Sequence, residues 1–275
     1  MKTNHPLVPL GVTVALFIGS ALLRASETDD GIVSSARKSR TFTTYLKDDS
    51  VVAASTSGAV TLTGTVADIS HKSLAQDTVE SLPGVKSVDN QLVTKEANPA
   101  EHSDAWISMN VKASLLFQRS VSASRTDVNV KDGIVTLSGE AFGQAQKELT
   151  TEYARDIDNV KEVRNEMTVV STPAQPAEII EEQPDDASIT ARVKFSFRPH
   201  RSTRSLKMKV ETSNGVVTLG GIASNDAEKL LVTRRVTDIT GVKSVINNMT
   251  LDAAVSNTSA PIRPLGPKNL RVVSQ

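Results

Sequence analysis

The chain of 275 residues is too long for one small domain and suits two or three. Its 31 basic and 31 acidic residues cancel, and only 3% of its residues are aromatic, which argues against a bulk binder of nucleic acid. The absence of cysteine excludes disulfides, thiolate zinc sites, cysteine catalysis and a lipidated cysteine.

The N-terminus has the pattern of an export signal. Lys2 and His5 precede an apolar run from Leu7 to Leu23, and polar, acidic sequence follows. We therefore predict that residues 1–25 form a signal peptide. An uncleaved anchor is the alternative, although the run has 17 residues including Pro9 and a bilayer span needs roughly 20.

One short phrase occurs three times along the chain. It reads GAVTLTG, GIVTLSG and GVVTLGG, and it begins at Gly58, Gly133 and Gly215. A second phrase, V-K-x-V-x-N-x-[LM], begins 27 residues after each of these glycines, at Val85, Val160 and Val242. Because the spacing is identical in all copies, the pattern indicates one structural unit repeated in tandem.

The repeat divides the chain into three units. We place unit 1 at residues 29–95, unit 2 at 103–170 and unit 3 at 185–252. Residues 96–102 and 171–184 between them are polar and contain proline, which is typical of linkers. The tail, 253–275, has three prolines and no amphipathic period, which predicts disorder.

Each unit is predicted to begin with an amphipathic helix, helix A. An acidic residue precedes the apolar stripe, and we expect its carboxylate to accept the free amides of the helix start. These residues are Asp29 or Asp30, Asp104 and Asp186. Four-residue spacing predicts a buried stripe in units 2 and 3. The stripes are Ile107, Val111 and Leu115, and Ile189, Val193 and Phe197. Unit 1 has Arg40 at the third position, so we expect Phe42 and Leu46 to reach its core instead.

Two short strands follow helix A. Ser-Gly, Asp-Gly or Asn-Gly lies between them, and such pairs favour a two-residue hairpin because they tolerate positive φ. The turn glycines are Gly58, Gly133 and Gly215. The V-T-L that comes next alternates, so Val and Leu share one face of a strand. A second glycine is expected to close that strand, namely Gly64, Gly139 and Gly221.

A second amphipathic helix, helix B, and a third strand complete each unit. In unit 1 the apolar stripe of helix B includes Leu74 and Val79, and the V-K-x-V run is the strand. The sequence therefore predicts an α+β protein of three αββαβ units. Each unit would be a three-stranded sheet with two helices packed on one face.

These features resemble the BON domain family, named for bacterial OsmY and nodulation proteins. The resemblance rests on the glycine–V-T-L-x-G phrase, the downstream V-K-x-V-x-N and the acidic residue before helix A. It implies a Gram-negative periplasmic location and contact with phospholipid membranes during envelope maintenance or osmotic stress. Familiar members have two units where this chain has three, and some carry a lipidated cysteine that this chain lacks.

No pattern in the sequence predicts catalysis, a cofactor or a metal. The four histidines, His5, His71, His102 and His200, share no spacing suited to a metal. The repeated glycines lack the lysine of a phosphate-binding loop, and the residues between them alternate as in a strand. We expect a protein that is not an enzyme.

Charge distinguishes unit 3 from the others. Units 1 and 2 have net charges of −1 and −2, whereas unit 3 has +4. Much of this surplus lies between Arg192 and Lys209, where helix A meets the first strand. The helical wheel places Phe195 away from the buried stripe, and Trp106 has a similar position in unit 2. The candidate lipid-binding residues are Arg192, Lys194, Phe195, Arg198, Arg201, Arg204, Lys207, Lys209 and Trp106.

Two interpretations of this stretch remain open. In the first, an anionic phospholipid surface attracts the cations, and the protein is peripheral to or anchored in a membrane. In the second, the stretch is a solvated basic loop and Phe195 covers a neighbouring element. A periplasmic protein-interaction or chaperone-like module, which engages envelope proteins through exposed sheet faces or edges, is the alternative function.

Overall fold

A computed structural model describes the backbone of residues 18–170, 184–198, 200 and 207–252. Side chains are described from Glu27 onward, without that of Lys207. Most of the predicted signal peptide, nearly all of the second linker and the tail lie outside the described residues.

Unit 2 shows the fold that all three units share. Two helices cover one face of a mixed sheet whose central strand is β6, paired antiparallel with β5 and parallel with β7 and β8. The elements are α3 (Asp104–Leu116), a 3-10 turn (Ala123–Arg125), β5 (Thr126–Lys131), β6 (Ile134–Ala141), α4 (Gln144–Arg155), β7 (Glu162–Asn165) and β8 (Thr168–Val169). The predicted αββαβ architecture is confirmed, with the third strand interrupted into two pieces.

Units 1 and 3 repeat this order. Unit 1 consists of α1 (Ile18–Lys38), a π-helical turn (Thr41–Tyr45), β1 (Ser50–Thr56), β2 (Ala59–Val66), α2 (Ile69–Glu80), β3 (Ser87–Asn90) and β4 (Val93–Thr94). Unit 3 consists of α5 (Asp186–Phe197), β9 (Lys207–Ser213), β10 (Val216–Ala223), α6 (Asp226–Thr237), β11 (Ser244–Asn247) and β12 (Thr250–Leu251). Helix α1 begins at Ile18, so the end of the predicted signal peptide continues into unit 1.

The predicted stripes of helix A form the core of each unit. Ile107, Val111 and Leu115 are buried in unit 2, beneath Val135 and Leu137 of the V-T-L strand. The corresponding stripe of unit 3 is also buried. In unit 1 Leu46 is buried and Phe42 packs against the core, as expected from the substitution of Arg40.

The acidic residue at the start of helix A has a role that the sequence did not predict. The Asp104 carboxylate accepts the amides of Asp132 and Gly133, both at 2.8 Å, and so holds the hairpin turn. The same bonds run from Ser57 and Gly58 to Asp29, and from Asn214 and Gly215 to Asp186. The expectation that these carboxylates cap their own helices was wrong, because the preceding residues, Ser103 and Asp185, are the caps.

The second glycine of each phrase lies within a strand and does not close it. An added Cβ at Gly64 would lie 1.8 Å from the Ser50 carbonyl oxygen, and one at Gly139 would lie 2.1 Å from that of Arg125. Both glycines have positive φ, which other residues rarely adopt. The strands continue to Val66 and Ala141, so the predicted strand end was placed too early.

The asparagine of V-K-x-V-x-N explains the break in the third strand. In unit 2 the Asn165 side-chain amide donates to the Lys147 carbonyl and the Thr151 hydroxyl, both at 2.8 Å. Its carbonyl oxygen accepts the amide of Met167 at 3.0 Å. Asn90 and Asn247 make corresponding bonds in the other units. This side chain therefore ties the third strand to helix B.

Candidate functional site

The predicted basic stretch of unit 3 is spread over helix and strand. Arg192, Lys194 and Phe195 lie on α5, and Arg198 follows its last residue. Lys207 and Lys209 lie on β9. Arg201 and Arg204 are outside the described residues, and Trp106 lies on α3 of unit 2.

Helix α5 lies between the three units, so residues that the sequence placed on its exposed side can be buried. One face packs in the core of unit 3, and the others contact α2 of unit 1 and α3 of unit 2. Phe195 is only 6% exposed and packs edge-to-face on Phe117, with ring centroids 5.7 Å apart. Of the two interpretations of Phe195, the exposed aromatic was wrong and the cover over a neighbouring element fits the structure, because the position opposite the core stripe faces another unit.

Arg192 is buried as well, with 0% exposure. Its Nη1 donates to the Thr240 carbonyl oxygen at 2.9 Å, and its guanidinium lies 5.4 Å from the ring centroids of both Tyr45 and Phe117. Planar stacking on aromatic faces stabilises a desolvated guanidinium. The predicted membrane role of Arg192 therefore does not fit this structure, since the side chain joins residues from all three units.

Arg198 and Lys194 are the other cations of α5, and both face unit 1. Arg198 Nη2 lies 2.5 Å from Asp77 Oδ1, and Lys194 Nζ lies 3.9 Å from Glu80 Oε2. Burial raises the pKa of Asp77 to about 6, and the nearby Arg198 and Lys194 only partly oppose this effect. Two of the candidate lipid-binding cations thus pair with α2 of unit 1.

Units 2 and 3 meet through a reciprocal interface. Gln118 forms an antiparallel bridge with Ile239, and Ile157 forms one with His200. Gln118 and His200 occupy the same position counted from their repeat glycines, as do Ile157 and Ile239. The two bridges are therefore related by a pseudo-two-fold axis, the arrangement of a symmetric dimer interface within one chain.

Buried polar groups complete this interface. Asp238 accepts the hydroxyl of Tyr153 at 2.8 Å. At the equivalent position of unit 2, Asp156 lies 2.7 Å from Arg235 Nη2 and 3.2 Å from His200 Nδ1. Burial lowers the pKa of His200, and the nearby Asp156 carboxylate opposes that shift. These contacts hold the units together, which accounts for the burial of His200.

Four of the described candidates remain at least partly accessible. The side chains of Arg198 and Lys194 are 47% and 31% exposed, although both pair with α2. Lys209 is 77% exposed on β9, with its Nζ 2.7 Å from Glu211 Oε1. Trp106 is half-buried and packs edge-to-face on His102, with centroids 5.4 Å apart. It lines a cleft of about 150 Å³ together with Phe195 and Arg198. Lys209 alone among the described candidates presents a largely exposed charge.

A different apolar surface lies beside Lys209. We call it the outer face of unit 3, meaning the side of its sheet that faces away from the helices. Ile222 of β10 and Ile246 of β11 lie on it and are 50% and 49% exposed. On β10, Thr218, Gly220 and Ile222 follow one another at every second position. Lys209 pairs with Gly220 and Ile246 pairs with Thr218, so Lys209 and the two isoleucines lie close together. Two half-exposed isoleucines beside a lysine make this face amphipathic.

The outer faces of the other units differ at the same positions. Counted from the repeat glycine, unit 2 has Glu140 and Arg164 where unit 3 has the two isoleucines. Unit 1 has Thr65 and Asp89 there. The charge surplus that distinguishes unit 3 in the sequence does not reveal this contrast. A comparison of the outward positions of the three copies would have revealed it.

The described residues contain no group of three or more histidine, aspartate or glutamate side chains that could hold a metal. A groove of about 720 Å³ lies at the hairpin end of unit 2 beside Asp104, Asp132 and Lys161. The Asp104 carboxylate there already binds the two turn amides. The groove therefore presents mainly groups that hold the hairpin.

Comparison with known proteins identifies the unit. The family model of the BON domain matches residues 28–96, 103–171 and 185–253. The chain belongs to the BON domain family. Its three BON domains correspond to units 1, 2 and 3, and the resemblance inferred from the repeated phrases is confirmed.

Curated relatives cover about half of this BON protein. Osmotically-inducible protein Y of Escherichia coli (strain K12) is 29% identical over 146 residues, which are 53% of this chain and 71% of the relative. An uncharacterized protein of the gshII 5′ region of Anaplasma centrale is 30% identical over 148 residues, covering 54% of this chain and 94% of the relative.

A solved structure with detectable likeness is the C-terminal domain of CdsD, the structural protein of the type III secretion system of Chlamydia trachomatis. It is 20% identical and covers 80% of this chain and 95% of its own, with a TM-score of 0.21. A second CdsD structure matches at 18% identity with a TM-score of 0.22. Within the described parts of the chain, no helix has the length and apolar character needed to cross a bilayer.

Proposed function

We propose that this BON protein is a non-enzymatic periplasmic protein that contacts anionic phospholipid through the outer face of unit 3. The observation that carries the proposal is the pair of half-exposed isoleucines, Ile222 and Ile246, beside the exposed Lys209. An interfacial contact needs both apolar side chains that enter the acyl boundary and cations that meet the headgroups. Among the described outer faces, that of unit 3 combines the two.

The energies involved favour a reversible contact. Complete burial of an isoleucine contributes about 1.5–3 kcal/mol, so two half-exposed side chains contribute roughly that amount together. Each lysine near an anionic surface adds about 1 kcal/mol before salt screening. Glu211, which lies beside Lys209, reduces this attraction. The expected binding is weak, sensitive to salt and dependent on lipid charge.

The proposed setting is the periplasm during osmotic stress. It is supported by the similarity to a relative named for osmotic induction and by the export-signal pattern at the N-terminus. The non-enzymatic part of the proposal is supported by the role of ionisable groups between the units. His200, Asp156 and Tyr153 all lie at the contact between units 2 and 3, where they join two domains.

Vesicle flotation tests this proposal. The full chain is mixed with phosphatidylglycerol or phosphatidylcholine vesicles at low and high salt, and the floating fraction is measured. The test variant carries Ile222→Glu and Ile246→Arg, which are the residues found at these positions in unit 2. The control carries Val93→Arg and Val169→Glu, two exposed valines of units 1 and 2.

The proposal predicts flotation with phosphatidylglycerol at low salt, a marked decrease at high salt, and little flotation with phosphatidylcholine. The test variant should lose most of this binding while the control retains it. Equal flotation with both lipids, or equal flotation of the two variants, would contradict the proposal.

A further inference from the structure

The sheet of unit 1 has an open edge, which strand β1 forms. Within the part of the chain that the structure describes, β1 is an edge strand that pairs only with β2. The Ser57–Gly58 turn has positive φ at both residues, so Thr56 and Ala59 form the hydrogen-bonded pair that closes the hairpin. Every second residue of β1 then directs its main-chain groups away from β2. These residues are Val51, Ala53 and Ser55.

No other described element covers this edge. Among the described residues, no hydrogen bond from outside the hairpin reaches the main chain of β1. Helix α1 packs over β1 from the inner side, and the Ser55 hydroxyl donates to Asp29 on that helix at 2.6 Å. The edge itself therefore presents unpaired amide and carbonyl groups over a strand of seven residues.

The side chains of β1 make this edge unlike the other two. Its sequence, SVVAAST, has no charged residue, and Val52 is 53% exposed. The matching edge strand β5 contains Asp127 and Lys131, and β9 contains three charged residues, Lys207, Lys209 and Glu211. Charged side chains on edge strands normally oppose pairing with another chain. Units 2 and 3 have this protection, and unit 1 lacks it.

We propose that the outer edge of β1 binds an extended, uncharged segment of another protein as an added strand. Main-chain hydrogen bonds would supply the affinity, and Val52 and Ala54 would contact alternate side chains of the added strand. An aliphatic or threonine-rich segment of β-forming sequence fits this surface because β1 offers no charge to pair with an acidic or basic one.

The position of α1 favours a lone strand over a second copy of this chain. Two copies that met β1 to β1 would place their edge strands about 4.8 Å apart. Each copy carries α1 packed above its own β1, and packed helices need about 8–10 Å between their axes. The two copies of α1 would compete for the same space. A partner segment without a covering helix avoids this conflict.

Peptide binding to the full chain tests the inference. The probe is a fluorescein-labelled heptapeptide of alternating threonine and valine, and its anisotropy is followed as protein is added. A second probe has the same sequence with N-methyl groups on alternate amides, which removes main-chain donors. The test variant carries Val52→Lys and Ala54→Glu, the charges that β9 has at these positions. The control is Asn129→Lys, the position in β5 that matches Ala54.

We expect saturable binding of the first probe, at least tenfold weaker binding by the test variant and unchanged binding by the control. The N-methylated probe should not compete. Unchanged unfolding midpoints show that the variants remain folded. Absence of binding up to millimolar protein, or equal affinity in the test variant, would overturn the inference. A dimer in light scattering that the test variant converts to monomer would assign the edge to a second copy instead.

Discussion

In each unit, one aspartate of helix A holds the hairpin turn. The Asp104 carboxylate accepts both amides of the two-residue hairpin turn, which ends with the repeated glycine. The glycine supplies positive φ, and the aspartate fixes the turn against helix A. Hydrogen bonds to a charged group contribute about 1.5–3 kcal/mol, more than neutral ones.

Replacement of Asp104 tests this role. We expect Asp104→Ala to lower the free energy of unfolding by about 2 kcal/mol, because two amides lose a charged acceptor. Asp104→Asn should lose about half as much, since one oxygen remains. Urea unfolding measures both. Glu101→Ala, at an exposed neighbour, serves as the control, and an equal effect of Glu101→Ala would contradict the role.

Asp77 gives a prediction about pH. Its folded-state pKa of about 6 lies above the ordinary value of 3.8, because burial penalises the carboxylate. The folded protein therefore gains a proton more readily than the unfolded chain. The resulting stabilisation is complete below about pH 4 and is lost as the pH rises through 6.

Comparison with Asp77→Asn isolates this contribution. Between pH 7 and pH 5 we expect the urea midpoint of the wild type to rise relative to that of Asp77→Asn, which cannot titrate. His200 acts in the opposite direction, because its lowered pKa costs stability as the pH falls below about 6.5. That contribution is present in both proteins and cancels. A difference that does not change with pH would contradict the buried state of Asp77.

Helix α5 shows which buried faces the sequence predicts and which it does not. The four-residue spacing of Ile189, Val193 and Phe197 predicted the face that packs in unit 3. It left open whether the opposite face is also buried, because an arginine and an off-stripe phenylalanine are compatible with either solvent or another unit. The hydrophobic period of a helix does not indicate contacts between repeated units, because these depend on tertiary packing.

Arg192 provides the test of this buried helix. We expect Arg192→Ala to lower the free energy of unfolding by about 3 kcal/mol, because it removes a large buried side chain that contacts Tyr45 and Phe117. Arg192→Met should cost less, since it restores volume. Lys112→Ala, on the exposed side of α3, should change the value by less than about 0.5 kcal/mol. If Arg192→Ala behaved like Lys112→Ala, α5 would not be central.

The repeat made the αββαβ order of each unit predictable, since alternation and helical period agreed with turn chemistry in three copies. The exact roles of Asp104 and Gly139 were harder to predict, because an acidic residue before a helix and a glycine after a strand each have a commoner explanation. The charge surplus of unit 3 predicted little of the proposed lipid-binding face. Among the candidate residues whose side chains are described, only Lys209 lies on that face.

Across the whole molecule, the three units share a fold but differ in their packing partners and outward faces. Units 2 and 3 form a pseudo-symmetric pair, and unit 1 packs on the other side of α5. Each unit leaves one sheet face outward, and the character of that face differs. The face of unit 2 carries Glu140 and Arg164, whereas that of unit 3 carries Ile222 and Ile246. In the proposed function, only the outer face of unit 3 meets lipid.

Fluorescent labels on equivalent threonines test whether lipid contacts unit 3 alone. The V-T-L threonine occupies the same half-buried position on each outer face, at Thr61, Thr136 and Thr218. Because the chain has no cysteine, Thr61→Cys, Thr136→Cys and Thr218→Cys each give one attachment point for an environment-sensitive fluorophore. On addition of phosphatidylglycerol vesicles at low salt, the label at position 218 should shift to the blue while those at 61 and 136 do not. Equal shifts at all three positions, or none at position 218, would contradict the account.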